Sequence, residues 1–456
     1  MNDYFPTIGL EIHAELATQT KMFCSSKNDS NEKRPNVNIC PVCLGYPGTL
    51  PVINQEAIRS VLRVGLAVGG EMADYTEFDR KNYFYPDIPK GYQISQYKNP
   101  LLQGGTLQGV ALTRIHLEED TAKSTHPSTA LGAGDQTFSL LDFNRAGVPL
   151  MELVTEPVIK TAAEAVNFAR ELQLLLEYLN VSGANMERGE MRVEANISLG
   201  KDGKKGTKVE VKNLNSFRAV EKAIKFEIER QLAILERGER IVQETRGWDE
   251  NKEITFSQRL KESAHDYRYF PDPDLPKLFI KSIPEFEEDK LKASLPELPR
   301  EKRERYKRDF DLKDSDIEIY VQQPERGKLL EESVKILGDK VLAQLVSNYI
   351  TNDLKTLVPA ESLAEIVKMI SNGEISSRGA KDILKIIQEK GGEPRIIAKN
   401  RNLIQESDRK VLEKIAKEVL RETPGAPIDF LVGQAMKATK GNANPQVLKE
   451  IFIKIL

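Results

Sequence analysis

Four stretches of this 456-residue chain alternate apolar and chemically loaded side chains with period two, a rhythm that an extended strand converts into two distinct faces. In Leu10-Glu11-Ile12-His13-Ala14-Glu15-Leu16, the side chains of Glu11, His13 and Glu15 share one face, and Leu10, Ile12, Ala14 and Leu16 share the other. Arg114 to Asp120 brings Arg114, His116, Glu118 and Asp120 together in the same way. Met191 to Ser198 sets Arg192, Glu194, Asn196 and Ser198 against Met191, Val193, Ala195 and Ile197, and Lys208-Val209-Glu210-Val211-Lys212 is a shorter version. If these strands share a sheet, its apolar face covers a core and its other face gathers carboxylates, imidazoles and cations.

Antiparallel sheets often turn one face to water, so each strand alone reads equally as a solvated surface. A face selected for solubility favours Thr, Lys and Gln, however, whereas Glu-x-His-x-Glu sets hard ligands of low strand propensity two residues apart. Taken together, the four stretches favour a site. Carboxylate with imidazole suits Mg²⁺ or Mn²⁺ held beside phosphates.

A chain of this length predicts two or three domains. With 40% hydrophobic residues it can bury a sizeable core, and it has no apolar run near the roughly 20 residues that span a bilayer. The start, Met1 to Pro6, lacks the pattern of a signal peptide, so a cytosolic, membrane-free protein is expected. A formal charge of −3 excludes a globally basic nucleic-acid binder and leaves only local patches.

All three cysteines fall in one window, Cys24, Cys40 and Cys43. Cys40-Pro41-Val42-Cys43 has zinc spacing, and Cys24 offers a third thiolate, but Ser26 stands where a Cys-x-Cys would complete four. Zinc with another fourth ligand, a vestigial site and plain buried thiols all remain open.

Up to about residue 293 the pattern is mixed strand and helix. A capping box of Thr161 and Glu164 opens one helix, and a second follows Ser216 with an apolar stripe of Phe217, Val220, Ile224, Ile228, Leu232 and Leu235. Both should pack on the apolar side of the sheet. Beyond Leu295-Pro296-Glu297-Leu298-Pro299 the chain reads helical, with a break near Gly391-Gly392. The expected domains are therefore 1–293, an α+β antiparallel-sheet domain, 294–392, all helical, and 393–456, a locally basic helical tail. In that tail, Lys437, Lys440, Asn442 and Asn444 lie in a polar, cationic helix-end loop that reads either as a phosphate contact or as a plain connection.

Two blocks interleave charge with aromatics, Asp79 to Asp87 and His265 to Asp274. They read as surface loops or as a cleft rim where Lys81 meets phosphate and Tyr83 or Tyr267 stacks on a base. Asn213, Asn215 and Ser216 precede a helix N-terminus, a natural anion site. There is no Gly-x-x-x-x-Gly-Lys loop and no Gly-x-Gly-x-x-Gly fingerprint, so any nucleotide is bound by another architecture.

Gly9 to Leu16, Asp79 to Pro86, His116 to His126, Leu141 to Pro157, Lys212 to Phe217, His265 to Asp274 and Phe430 to Pro445 resemble the B-subunit family of the tRNA-dependent Asp/Glu amidotransferases over nearly the whole chain. The resemblance implies a catalytic cradle related to glutamine synthetase and guanidino kinases, then a helical domain and a tail that contacts tRNA. It also implies an ATP- and Mg²⁺-dependent ligase that activates the side-chain carboxylate of Glu on tRNA(Gln), or Asp on tRNA(Asn), for attack by ammonia. Metal candidates are then Glu11, His13, Glu15, Glu118, Glu119 and Glu210, with Glu118 and Glu119 unresolved between them. Lys81 is the catalytic cation, and Tyr83, Arg192, Glu210, Lys212, Asn213 and Asn215 are candidates for nucleotide and phosphate. No histidine neighbours the cysteines in sequence and no Gly-x-Ser-x-Gly elbow occurs, so ammonia should come from a separate amidase subunit, as the resemblance also implies, and the resemblance further implies a small third subunit. The competing readings are a free-standing small-molecule carboxylate-amine ligase and a non-catalytic tRNA-binding module.

Overall fold

A computed structural model describes residues 4–125, 139–260, 267–406, 408–439 and 443–456, which fall into two compact units divided after Leu298. The first unit is built on a mostly antiparallel sheet, thirteen-stranded among the described residues. Its main strands are β1 (Tyr4–Glu15), β2 (Asp79–Asn82), β3 (Tyr92–Ser95), β4 (Val110–Glu119), β5 (Pro149–Thr155), β6 (Met191–Lys201), β7 (Val209–Leu214), β8 (Glu244–Asp249), β9 (Ile254–Leu260) and β10 (Phe270–Pro271). Their order across the sheet is β9-β8-β7-β6-β1-β5-β4-β3-β2-β10. Only β7 and β8 run parallel along this path.

The four alternating stretches are β1, β4, β6 and β7, and β5 joins them between β1 and β4. Register decides which side chains meet. His13 lies opposite Glu152 on one side and Arg192 on the other, Glu152 lies opposite His116, and Asn196 lies opposite Glu210. Their common parity puts Ile8, Leu10, Ile12 and Ala14 on the reverse side, all at most 1% exposed, in one core cluster. At about 1.5 to 3 kcal/mol for each fully buried aliphatic side chain, that face fixes the register. A one-residue slip would bury the charges instead.

Helices α1 (Gln55–Ala67), α2 (Ala162–Tyr178) and α3 (Phe217–Glu236) contribute to this core. Thr161 caps α2 by accepting from the Glu164 amide at 3.1 Å, and Glu164 reciprocates to the Lys160 amide at 2.8 Å. Ser216 caps α3 at the Ala219 amide. The stripe expected along α3 holds only in its first turns: farther on, Glu227 and Gln231 are fully buried, while Ile228, Leu232 and Leu235 are half-buried. The reason is an ionic layer under β8 and β9, where Arg230 and Arg246 meet Glu227.

The second unit is helical, from Pro299–Phe310 to the last three helices, α4 (Arg409–Glu422), α5 (Ile428–Ala438) and α6 (Pro445–Ile455), which share a core of their own around Leu412, Leu431 and Phe452. Among the described residues no helix is long and apolar enough to cross a membrane.

Candidate active site

The polar face of β1, β4, β5 and β6 converges on His13. Its Nε2 lies 3.5 Å from Glu118 Oε1, 3.5 Å from Glu152 Oε2 and 4.0 Å from Glu11 Oε1. The same Glu152 oxygen is 3.2 Å from His116 Nε2, so one carboxylate bridges two imidazoles, and Arg114 approaches its other oxygen at 3.5 Å. Burial alone would depress the His13 imidazolium, but the Glu152 hydrogen bond and the surrounding carboxylates lift it to about 9. Glu152 is held well below the ordinary range: burial opposes this, and the His116 and His13 imidazoles outweigh it. Glu11 is pushed up to about 7 by burial and by the neighbouring Glu152 and Glu194 charges.

One step along the sheet, Glu11, Glu194 and Glu210 form a second acidic group. Lys212 Nζ is 2.8 Å from Glu194 and 3.8 Å from Glu210. At the opposite edge Lys81 faces Glu118, with its Nζ 5.7 Å from the Tyr83 ring centroid and 5.3 Å from that of Tyr267. Burial works against the Lys81 charge and Glu118 more than restores it. The Tyr83 hydroxyl is bonded to Gln93 at 3.1 Å, which fixes the ring beside the lysine.

Hard oxygen and imidazole donors within 4.8 Å of one another fit a divalent cation of the Mg²⁺ or Mn²⁺ type in three overlapping sets: Glu11, His13 and Glu152; His116, Glu118 and Glu152; Glu11, Glu194 and Glu210.

Several expected residues sit elsewhere. Glu119, one position past Glu118, points to the reverse side, where Lys90 Nζ lies 2.5 Å away and the Ile94 amide donates at 2.9 Å. Both its oxygens are engaged, so Glu118 is the member of the pair that meets His13. Glu15 also leaves the ligand groups: it accepts from Ser30 at 2.6 Å, lies 3.4 Å from Arg145, and is raised to about 7 by burial and by Asp120. Arg192 is held by Asp120 at 3.1 Å, which Arg145 shares at 2.6 Å, so the expected phosphate contact belongs to that ion network. Asn213 and Asn215 are exposed ahead of α3, and Asn213 has left-handed backbone, φ 65°.

Glu152 is absent from the expected set, although it is the lone acid in the otherwise uncharged β5 sequence Pro149–Thr155 and stands opposite His13. His116 and Glu194 lie on the predicted polar face, where the alternation places them without assigning either a role.

Cys24, Cys40 and Cys43 bring their sulfurs within 4.8 Å of one another. The fully buried Lys21 places Nζ 3.7 Å from Cys43 Sγ, and Ser26 Oγ lies 3.9 Å from it. The Cys43 thiol is drawn down to about 4 by the Cys24 thiol and, against burial, by the Lys21 ammonium. Three sulfurs and a hydroxyl form an incomplete zinc donor set whose charge Lys21 already offsets.

In the tail, Lys437 is exposed, but Asn444 is 9% exposed and caps α6 by accepting from the Gln446 and Val447 amides while donating to the Gly373 carbonyl at 3.2 Å. Its side chain is thus engaged in capping α6 and in bonding Gly373. Lys440 and Asn442, and also His126, His265 and Asp266, lie outside the described residues.

The family described as "GatB/GatE catalytic domain" matches residues 6–283, and that described as "GatB domain" matches 322–456. Curated relatives extend over the full chain. A protein of Gloeothece citriformis, named as the B subunit of an aspartyl/glutamyl-tRNA(Asn/Gln) amidotransferase, is 42% identical, covering 100% of this chain and 98% of its own. Proteins of the same name from Persephonella marina, 41% identical over 100% of both chains, and Thermotoga petrophila, 42% identical over 99% of both, are equally similar.

Proposed function

The chain belongs to the GatB/GatE family, and on that premise we propose that it is the subunit of an amidotransferase that uses ATP to activate the side-chain carboxylate of Asp or Glu esterified to tRNA(Asn) or tRNA(Gln), and then amidates it. The observation that carries this reading is the cluster of Glu11, His13, Glu118 and Glu152 flanked by Lys81 and Lys212. It supports phosphoryl transfer because a free carboxylate resists ammonia until one oxygen becomes a leaving group.

In the proposed sequence a substrate carboxylate oxygen attacks the γ-phosphorus of ATP and ADP leaves. Ammonia then adds to the acyl carbon and phosphate departs with the oxygen. Glu11, His13 and Glu152, with Glu118 3.5 Å from His13, would hold one divalent cation, and Glu11, Glu194 and Glu210 a second; bound there, cations would neutralise the charge of the phosphoryl group in transfer. In the cation-free protein Glu152 orients His13 through Nε2 while also meeting His116; with a cation bound at that nitrogen, Glu152 would become a co-ligand beside it. Lys81, confined between two tyrosine rings, offers a fixed ammonium to the acyl or phosphoryl oxygen. Lys212, tethered to Glu194, does the same on the nucleotide side.

We read the sheet and its helices as a cradle of the glutamine synthetase and guanidino kinase kind, and residues 393–456 as a cytosolic tRNA-contacting tail. Ammonia comes from a partner amidase subunit, with a small third subunit completing the assembly. The test is ATP turnover by the assembled complex with mischarged and correctly charged tRNA, with and without glutamine. Turnover that requires mischarged tRNA, with Gln-tRNA or Asn-tRNA as product, is expected. Turnover on free glutamate would favour the small-molecule ligase, and no turnover the non-catalytic tRNA module.

A further inference from the structure

Glu210, a member of the second acidic group, is held from a neighbouring strand. Its Oε2 accepts a hydrogen bond from Thr245 Oγ1 at 2.7 Å, across the parallel β7–β8 pair in which Glu210 and Thr245 are register partners. Thr245 is 3% exposed and Glu210 8%, so water does not substitute freely for that hydroxyl. The other Glu210 oxygen lies 3.8 Å from Lys212 Nζ, which is itself drawn to Glu194 at 2.8 Å. The threonine hydroxyl thus approaches Glu210 more closely than the Lys212 ammonium does.

Thr245 is itself held by an unusual foundation. Thr245 and Arg246 are successive residues of β8 and therefore point to opposite sides of the sheet, and the register shift beside them leaves Gln258 of β9 as the extra residue. Arg246 turns toward α3, where it donates to Glu244 at 2.6 Å, to Thr255 Oγ1 at 2.8 Å and to the Thr255 carbonyl at 2.9 Å, and lies 3.7 Å from Glu227. Glu227 is fully buried and also accepts from Arg230 at 2.7 and 2.8 Å, from Gln231 at 2.8 Å and from Thr255 at 3.1 Å. A buried carboxylate that accepts from several fixed donors is costly to rearrange, because any move leaves a charged group unpaired. Here the strand so fixed carries the donor to Glu210.

We propose that Thr245 is a positioning residue for the second cation group, orienting the Glu210 carboxylate toward Glu11 and Glu194, with the Arg246–Glu227 layer holding Thr245 in place. This rests on the reading of Glu210 as a cation ligand. Carboxylate ligands are oriented by outer hydrogen bonds, and losing one such partner typically lowers metal affinity by about 10- to 100-fold.

The test is Mn²⁺ binding to the full-length chain, followed by the loss of the free-ion electron paramagnetic signal, together with the Mg²⁺ dependence of ATP turnover in the assembled complex. Thr245→Val, which keeps shape and removes the donor, should weaken the weaker-binding Mn²⁺ class by roughly 10- to 100-fold and raise the Mg²⁺ requirement in parallel, with thermal unfolding little changed. Thr245→Ser should restore both to within about threefold of the parent, since the hydroxyl returns without the methyl. In a Glu210→Gln background, Thr245→Val should cost nothing further. Unchanged Mn²⁺ affinity in Thr245→Val, or a serine variant as impaired as the valine one, overturns the positioning role. If Glu210→Gln alone leaves Mn²⁺ binding intact, the ligand reading fails first and the proposal falls with it. Should Thr245→Val not fold, the serine variant and the Glu210→Gln cycle with Thr245→Ala decide the matter by the same criteria.

Discussion

Cation affinity should climb with pH in two stages, each set by one side chain. In the cation-free protein Glu11 holds its proton up to about 7 and His13 up to about 9. Each must lose that proton to act as a ligand, so cation binding expels whichever protons remain. Below pH 7 both are expelled and affinity should rise about a hundredfold per pH unit. Between 7 and 9 only the His13 proton is left, and the rise should slow to about tenfold per unit, or about 1.4 kcal/mol. Above 9 it should level off. Calorimetric Mg²⁺ titrations of the full-length chain, repeated in buffers of different ionisation enthalpy, measure both affinity and protons released. The expected release is about two protons at pH 6 and about one at pH 8. His13→Asn should abolish the upper stage and leave the lower one. Affinity that is flat from pH 6 to 9, or an upper stage that survives in His13→Asn, would refute the assignment. The sign for folding runs the other way. His13 lies above its unfolded 6.5, so its contribution is complete below 6.5 and is lost as pH rises to 9, about 3 kcal/mol in all. Glu11 likewise destabilises between its unfolded 4.5 and 7. Added Mg²⁺ should therefore raise the melting temperature more at pH 8 than at pH 6.

Glu118→Gln should lower mischarged-tRNA-dependent ATP turnover by about 10²- to 10³-fold with little loss of stability. Glu119→Ala should instead appear in urea unfolding, because it leaves the half-buried Lys90 ammonium and the Ile94 amide without their acceptor, at a cost of about 1 to 3 kcal/mol. Chelator treatment that removes any thiol-bound zinc should leave transamidation unchanged, since Lys21 already offsets the Cys43 charge; a parallel loss of activity and folding would show a structural metal. Deleting 393–456 should raise the KM for charged tRNA and flatten its salt dependence by roughly 0.7 to 0.9 in log–log slope per lost phosphate contact. Asn444→Ala should cost about 1 kcal/mol of tail stability through the lost cap while leaving tRNA binding unaltered, and weakened binding in a fully folded variant would contradict that capping role.

The alternating strands were legible because period two is a local property: parity alone assigned Glu11, His13, Glu118, Glu194 and Glu210 to one face. The choice between Glu118 and Glu119 followed the same parity to the end of β4, since no bulge intervenes before Lys90 engages Glu119. What sequence could not supply was register between strands. Glu152 enters the site only because β5 inserts between β1 and β4, a non-local pairing across more than a hundred residues. By parity Glu15 was a candidate cation ligand and Arg192 a candidate phosphate contact; Arg145 and Asp120 engage them, and those contacts depend on how β4, β6 and the turn before β5 are brought together. On α3 the apolar stripe gave the right helix and the wrong buried set, because Glu227 answers to Arg246 on a strand nineteen residues farther on.

The charge of the polar face has a consequence for the order of binding. Glu11, Glu118, Glu152, Glu194 and Glu210 stand on neighbouring strands, and the lysines turned to them are Lys81 and Lys212. A face optimised for stability alone would not collect five carboxylates where burial weakens solvent screening. Once Glu11 and His13 give up the protons that ligation displaces, these carboxylates outnumber Lys81, Lys212 and Arg114, and their field then has the same sign as a triphosphate, so free ATP is repelled by the groups that are proposed to serve it. Cations reverse that sign. A nucleotide that arrives already complexed, or a chain already loaded, meets attraction where the bare pair meets repulsion. Cation and nucleotide should accordingly bind with positive coupling, each raising the other's affinity by the same factor. Glu11 is the natural seat of that coupling, since it belongs to both acidic groups and is the carboxyl driven to about 7 when neither is filled.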